Sequence, residues 1–189
     1  MQQQKSKKTL VAIFAHPDDE AFGPSGTLTK YTETHDVYIL CATKGELGGK
    51  STEIAHIREN ELKKSAKILG IKKVIFLGFT DGALCNCLYH DLANKISKHL
   101  QKLKPDTVLT YEMRGVSGHI DHITVSMATT YVATKLEFIK KIMYYCVLDK
   151  ESEAIKNYFI YFPQGYKKQD VDEVVNVEKY WDKKVEAMK

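Results

Sequence analysis

A chain of 189 residues suits one compact domain, and 43% hydrophobic with 28% charged residues is a globular composition that excludes a disordered, collagen-like or low-complexity chain. The net charge of +4 is spread along the sequence, where Lys and Glu alternate, so it indicates no nucleic-acid partner. No apolar run approaches the length of a membrane span, which excludes an integral membrane segment.

The N-terminus is predicted to be a polar leader followed by a buried strand. Residues 1–8 include the basic run Lys5-Ser6-Lys7-Lys8, which we expect to be solvated. The apolar stretch after it, Leu10 to Ala15, is too short for the core of a signal peptide. We therefore expect a cytoplasmic protein with a leader over residues 1–8 and one domain over residues 9–189.

Short β-branched runs then alternate with longer amphipathic segments. In chain order, strands are predicted at residues 9–15, 36–41, 74–77, 107–111 and 142–147. Helices are predicted at residues 52–69, 91–103, 122–136 and 178–188. The first helix has Ser51 or Thr52 as its N-cap and Gly70 just after its end. This alternation predicts an α/β fold with a doubly wound, mostly parallel sheet and helices on both faces.

The four cysteines are expected to be reduced and mostly buried, because the chain has no secretion signal. They are Cys41, Cys85, Cys87 and Cys146. The Cys85-Asn-Cys87 pair could bind a metal ion. However, it lacks the second pair of ligands that most such sites contain, so we assign it no function here.

Two polar motifs follow predicted strands. His16-Pro-Asp-Asp-Glu20 follows the first strand, and Gly118-His-Ile-Asp-His122 lies beyond the fourth. Ligands of doubly wound folds bind outside the carboxyl ends of the strands, so we expect the motifs to be neighbours despite about a hundred residues of separation. Together they bring histidines and carboxylates into one crevice.

The two motifs contain the donors of a catalytic metal site. His16 and Asp19 are three residues apart and can aim at one point, and His122 can complete the set. Three protein ligands that leave a position for water are typical of catalytic zinc, which lowers the pKa of bound water to about 7. Histidine and carboxylate sites also accept other divalent metals.

Three further side chains can take part in the reaction. Asp18 can act as a general base on the bound water. His119 can polarise a carbonyl or donate a proton, and Asp121 can orient its imidazole. Taken singly, each motif also fits a turn or a helix N-terminus. The joint occurrence after two strands is what favours a metal site.

These motifs resemble those of the LmbE/PIG-L family of zinc-dependent N-acetylglucosamine deacetylases. Weaker blocks of the family occur in the expected order at residues 43–46, 58–61 and 77–84. The resemblance implies a Rossmann-like fold, bound Zn²⁺ and hydrolysis of an acetamide on a small-molecule amino sugar.

Carried over by position, the resemblance implies a role for each motif residue. The residues implied to hold zinc are His16, Asp19 and His122, with Asp18 as the base. His119 is implied to stabilise the oxyanion or to protonate the amine, with Asp121 behind it.

The resemblance also implies that Arg58, Asp81 and Glu46 contact the substrate. Each has a structural alternative: a helix-surface salt bridge, a turn and a charged loop position, respectively. Two positions depart from the family pattern. Lys44 stands where relatives often have Arg, and Ser117 stands where some have Tyr.

Two other functions stay open at this point. A zinc amidase that cleaves a larger acyl group or a thiol conjugate of an amino sugar would use the same residues. A non-catalytic metal-containing carbohydrate-binding domain would not need Asp18. No Gly-x-Gly-x-x-Gly follows a predicted strand, which argues against dinucleotide binding. The sequence leaves the aglycone and the oligomeric state open.

Overall fold

A computed structural model of the chain describes residues 7–155, 157 and 161–189. The predicted leader lies outside the described residues as far as Ser6, and Lys8 already belongs to the first strand. The division into a leader and one domain stays a prediction.

Five parallel strands form one sheet in the order β3-β2-β1-β4-β5. The strands are β1 (Lys8–Phe14), β2 (His35–Cys41), β3 (Lys73–Phe76), β4 (Thr107–Tyr111) and β5 (Lys141–Tyr145). All five were predicted within two residues at each end. The central strands β1 and β4 are almost completely buried, because helices cover both faces of a parallel sheet, and this burial explains their continuous apolar sequences.

The described residues also form helices of very different lengths. They are α1 (Asp19–Phe22), α2 (Ser25–Thr32), α3 (Ile54–Leu69), α4 (Tyr89–Leu103), α5 (Ile120–Ala133), α6 (Asp149–Ile155) and α7 (Trp181–Ala187). Within the described part of the chain, none has both the length and the apolar character needed to cross a bilayer.

Three of these helices, α1, α2 and α6, were not predicted. The sequence of α2 is rich in Thr and contains Gly26, residues of modest or low helix propensity. Its buried side, which includes Leu28 and Thr29, packs in the core, so tertiary contacts stabilise the helix.

The direction of the strand order reverses at β1. The chain runs outwards from β1 through β2 to β3 and then crosses to β4 and β5 on the other side. Right-handed crossovers place the helices of the two halves on opposite faces, and α3 packs with α7 whereas α4 packs with α5. The predicted doubly wound α/β fold is confirmed. Its switch point lies between β1 and β4, so the segments after these strands meet at one edge.

Candidate active site

The segments after β1 and β4 enclose a crevice of about 560 Å³ at the carboxyl edge of the sheet. Most of the predicted site residues line it: His16, Asp18, Asp19, Arg58, Asp81, His119 and His122. Two do not. Asp121 is 1% exposed and lies behind His16, and Glu46 contacts the backbone of the β3–α4 loop.

Three side chains converge in the crevice as possible metal ligands. The Nδ1 atom of His16 lies 3.2 Å from Nε2 of His122 and 3.7 Å from Oδ2 of Asp19. The Oδ1 atom of Asp19 lies 3.2 Å from the same His122 nitrogen. A tetrahedral site with bonds of about 2.0–2.1 Å places its ligand atoms about 3.3 Å apart. The three donors therefore fit one divalent metal ion without large movement.

The outward nitrogens of both histidines are held by hydrogen bonds. Nε2 of His16 donates to Oδ2 of Asp121 over 3.1 Å and lies 3.0 Å from Oδ1 of Asp81. Nδ1 of His122 donates to the carbonyl of Gly115 over 3.0 Å. These acceptors keep the ring proton on Nε2 of His16 and on Nδ1 of His122. The lone pairs of His16 Nδ1 and His122 Nε2 can therefore bind a metal ion.

A second possible ligand group consists of His16, His119 and Asp121. The Asp121 carboxylate accepts hydrogen bonds from the backbone N–H groups of Gly82, at 2.8 Å, and Leu84, at 3.2 Å, in addition to the bond from His16. A metal ion at that position would displace these bonds. The group with Asp19 and His122 is therefore the better metal site.

Asp121 supports His16 from behind the crevice. Its carboxylate accepts a hydrogen bond from His16, and the predicted orientation of His119 by Asp121 stays a prediction. His119 is the N-cap of α5, and its Nδ1 accepts a hydrogen bond of 3.1 Å from the backbone N–H of Asp121. This cap satisfies one of the unpaired N–H groups at the start of α5 and fixes the Nδ1 side of the His119 ring.

Tyr111 is a site residue that the sequence analysis missed. Its hydroxyl donates to Oδ2 of Asp19 and accepts the backbone N–H of Ala15 at 2.8 Å. Its ring stacks on His122, with centroids 4.2 Å apart and an interplanar angle of 2°. The position was detectable, because Tyr111 is the last residue of β4, where the fold predicts ligands.

Asp18 lies beside the metal-ligand group and is about half-exposed, at 49% of its side chain. Burial in the crevice and the negative charge of Asp19 raise the pKa of its carboxyl to about 6. The positive charge of Arg58 acts in the opposite direction and lowers this pKa. A carboxyl with this pKa can take up and release a proton near neutral pH. The predicted role of Asp18 as the general base stays a prediction.

Arg58 holds the loop that carries Asp18. It donates to Oδ2 of Asp18 over 2.8 Å and to the backbone carbonyls of Pro17 and Gly45. Its side chain lines the crevice, although these internal bonds engage much of its donor capacity. Its predicted contact with substrate stays a prediction.

Asp81 lines the crevice, and Glu46 supports it from outside the crevice through a hydrogen bond. Asp81 is 8% exposed, contacts His16 with one oxygen and accepts the backbone N–H of Leu47, at 3.0 Å, with the other. Glu46 accepts the backbone N–H of Asp81 at 3.1 Å. Their predicted substrate contacts also stay predictions, and these bonds add a positioning role.

The charges around the site favour a bound cation. Burial opposes protonation of His16, but the carboxylates of Asp121, Asp19 and Asp81 outweigh it and raise its pKa. Burial instead lowers the pKa of His122 and of His119. A metal ion would supply the positive charge that these carboxylates attract.

The chain is similar to proteins of known family. The family model described as PIG-L, GlcNAc-PI de-N-acetylase, matches residues 11–133. A protein of Bacillus cereus named probable N-acetyl-alpha-D-glucosaminyl L-malate deacetylase 2 is 28% identical over 193 residues, covering 96% of this chain and 81% of that protein. The mycothiol S-conjugate amidase of Streptomyces coelicolor is 30% identical over 146 residues, covering 64% of this chain and 50% of that protein.

Among solved structures, the chain is similar to the N,N'-diacetylchitobiose deacetylase of Pyrococcus horikoshii. The TM-score is 0.72 and the identity 23%, with 97% of this chain and 69% of that chain covered. At this identity the similarity supports the fold.

Proposed function

This chain belongs to the PIG-L family, and from that premise we propose that it removes the N-acetyl group from an N-acetylglucosamine-type amino sugar or its conjugate, releasing acetate. The observation that carries the proposal is the convergence of His16, Asp19 and His122 with Asp18 beside them in one crevice. The deacetylase names of several relatives support the choice of an acetamide as the bond that is cleaved.

We propose Zn²⁺ as the ion that His16, Asp19 and His122 hold. Two imidazoles and one carboxylate are a common donor set of catalytic zinc. A zinc ion bound there supplies a Lewis acid that activates a water molecule and polarises the amide carbonyl. Tyr111 and Asp121 keep the ligands oriented through their hydrogen bonds to Asp19 and His16.

Asp18 accepts the proton of the attacking water. Its pKa of about 6 leaves it mostly ionised at neutral pH, so it is ready to act as a base. Once protonated, the same carboxyl can deliver the proton to the leaving amine. Arg58 keeps the carboxylate in place during both transfers.

His119 donates a hydrogen bond to the oxyanion that forms during the attack. Its Nδ1 accepts from the backbone of Asp121, so the neutral ring carries its proton on Nε2. Burial and the neighbouring His122 lower the pKa of His119, which keeps the ring neutral at pH 7. A fixed donor at the site of developing charge is an effective catalytic element.

The working location we propose is the cytoplasm. The cysteines among the described residues are free thiols, the state that a reducing compartment maintains.

Acetate release tests the proposed function. The substrates are N-acetylglucosamine, N,N'-diacetylchitobiose and an N-acetylglucosaminyl malate, each with chelator-treated and zinc-restored protein. We expect release from at least one of them, only with zinc restored, and a rate of release that is about 10²–10⁴-fold lower in the Asp18→Asn variant. Absence of release from the whole panel with stoichiometric zinc bound would overturn the deacetylase proposal.

A second candidate function is an amidase that acts on a thiol conjugate of an amino sugar. The similarity to the mycothiol S-conjugate amidase favours it. The same assay includes an S-conjugate of an N-acylated cysteinyl amino sugar. Faster zinc-dependent cleavage of this compound than of every acetamide would support the amidase.

A further inference from the structure

Cys85 and Cys87 form a pair of exposed thiols outside the proposed catalytic site. They lie in the loop between β3 and α4, and their Sγ atoms are 3.2 Å apart. Cys41 is buried and Cys146 half-buried. The expectation of mostly buried thiols is therefore wrong for this pair. The chain passes through a tight turn here and leaves both side chains at the surface.

The surroundings of the pair argue against a metal site. Among the described residues, neither cysteine belongs to a group of three or more possible metal ligands. Two thiols alone do not complete a tetrahedral coordination shell. A dithiol without further ligands is instead suited to redox chemistry.

The two thiols differ in acidity. The two thiols are within hydrogen-bond distance of each other, and either sulfur can be the donor. This pairing lowers the pKa of Cys85, and the backbone N–H groups of Cys87 and Leu88 act in the same direction. The pKa of Cys87 is raised by the same pairing. This direction favours the thiolate of Cys85, so we assign Cys85 as the attacking sulfur in the proposal below, with Cys87 as its resolving partner.

We propose that Cys85 and Cys87 form a reversible dithiol–disulfide site that low-molecular-weight disulfides oxidise. The Cys85 thiolate attacks one sulfur of the small disulfide, which forms a mixed disulfide and releases one small thiolate. The Cys87 thiolate then attacks Sγ of Cys85, which closes the intrachain disulfide and releases the second small thiolate. Two electrons pass to the small disulfide, and the two cysteine protons end on the two released thiols.

The geometry makes this closure a small movement. A disulfide has an S–S distance of about 2.05 Å, so the two sulfur atoms approach by about 1 Å. Both side chains are exposed, so the closure requires no opening of the core.

Glutathione redox buffers test the proposal on the zinc-loaded protein. After equilibration, free thiols are alkylated and the chain is digested with trypsin. The tryptic peptide over residues 74–95 contains Cys85 and Cys87 and no other cysteine. We expect this peptide to pass from two alkyl labels to none as the buffer becomes oxidising, with no lasting singly labelled form.

Single variants separate the two roles. In Cys87→Ser we expect complete loss of the disulfide and accumulation of glutathione on Cys85. In Cys85→Ser we expect no intrachain disulfide, and we expect glutathione to accumulate on Cys87 much more slowly than it does on Cys85 in Cys87→Ser. Cys146→Ser is the matched control and leaves the behaviour of the peptide unchanged. Circular dichroism checks that each variant is folded.

Two results would overturn the proposal. One is a wild-type peptide that keeps both alkyl labels in a buffer that modifies Cys146. The other is a wild-type peptide that accumulates stable mixed disulfides in place of the intrachain disulfide.

Discussion

Asp18 adopts a backbone conformation that few residues other than glycine adopt. Its φ is 109° and its ψ −28°, and strain of this kind costs on the order of 1–3 kcal/mol. Arg58 donates both to the Asp18 carboxylate and to the preceding carbonyl of Pro17, which stabilises the strained turn. The strain occurs where the proposed reaction requires a fixed carboxylate.

Replacing Asp18 with Asn tests its role as the base. Asn tolerates positive φ and has nearly the same shape, so the fold and the metal site are expected to be retained. We expect kcat to fall by about 10²–10⁴-fold, the usual contribution of a positioned base. Acetate release and metal content by elemental analysis are measured together, with exposed Asp170→Asn as the control. Near-normal turnover would remove Asp18 from this role.

Tyr111→Phe removes the hydroxyl that binds Asp19 and retains the ring that stacks on His122. Loss of an outer hydrogen bond to a ligand typically costs about 10–100-fold in metal affinity. We expect a decrease of that size in zinc affinity, measured by competition with a chromogenic chelator. The control is Tyr131→Phe, at an exposed position of α5. An unchanged affinity would mean that the hydroxyl serves the fold alone.

Glu20 is a buried carboxyl whose charge destabilises the folded state. Burial raises its pKa to about 7, whereas an unfolded Glu titrates at about 4.3. The folded state therefore favours the protonated carboxyl. The stability that this preference contributes is complete below the unfolded pKa and is lost as the pH rises through about 7.

Removing this charge is expected to stabilise the metal-free protein. At about 1.4 kcal/mol per pKa unit, Glu20→Gln is expected to raise the free energy of unfolding by about 4 kcal/mol at pH 8 and by much less at pH 5. Urea unfolding of chelator-treated protein at both pH values measures the difference, with exposed Glu53→Gln as the control. A gain that does not depend on pH would show that ionisation of Glu20 is not its cause.

At the scale of elements, the first turn of α5 concentrates three roles. His119 caps the helix, Asp121 binds His16, and His122 faces Asp19. Residues on one helical turn point in different directions. A single turn can therefore supply an oxyanion donor, an outer partner and a ligand.

The β3–α4 loop connects the cysteine pair with the proposed metal site. Its Gly82 and Leu84 N–H groups hold the Asp121 carboxylate, and Cys85 follows directly. Closing the disulfide moves the two sulfur atoms by only about 1 Å, but it constrains the backbone directly after Leu84. We therefore expect the Leu84 N–H group to shift on Asp121 and the support of His16 to weaken.

We therefore expect oxidation of the pair to lower kcat/KM by about tenfold or more, within the range for loss of an outer partner. The activity is measured at each point of the glutathione titration and again after reduction. The double variant Cys85→Ser/Cys87→Ser should show no response. Full activity of a completely oxidised protein would exclude this coupling.

At the scale of the whole molecule, the proposed metal joins the two halves of the sheet. His16 and Asp19 follow β1, and His122 comes from the segment after β4. A ligand that binds only the folded state stabilises it in proportion to its saturation. Zinc should therefore raise the stability of the complete fold as well as complete the site.

Thermal unfolding measures this stabilisation. At a free zinc concentration of one hundred times Kd, the free energy of unfolding increases by about 2.7 kcal/mol. For a chain of this size, that increase raises Tm by about 5–10 °C. We expect the rise in the wild type and in the exposed control His90→Ala, and its loss in His122→Ala. A normal rise in His122→Ala would show that the zinc is bound elsewhere.

The sequence by itself determined the class of fold and the two segments that meet. Buried strands are continuous apolar runs, and the chain order of strands and helices restricts the topology. The sequence could therefore predict that His16, Asp19 and His122 meet, and in the structure these side chains lie together. Their role as metal ligands stays a prediction. The helix α2 was not predictable in this way, because its stability comes from packing.

Only the tertiary structure decided which side chains touch. The partner of Asp121, the contact of Tyr111 with Asp19, and the proximity of Cys85 and Cys87 depend on side-chain directions. The first two join segments that lie about a hundred residues apart in the chain. Local hydrophobic patterns determine which face of an element is buried, but they do not specify the rotamers and loop geometry that form these hydrogen bonds.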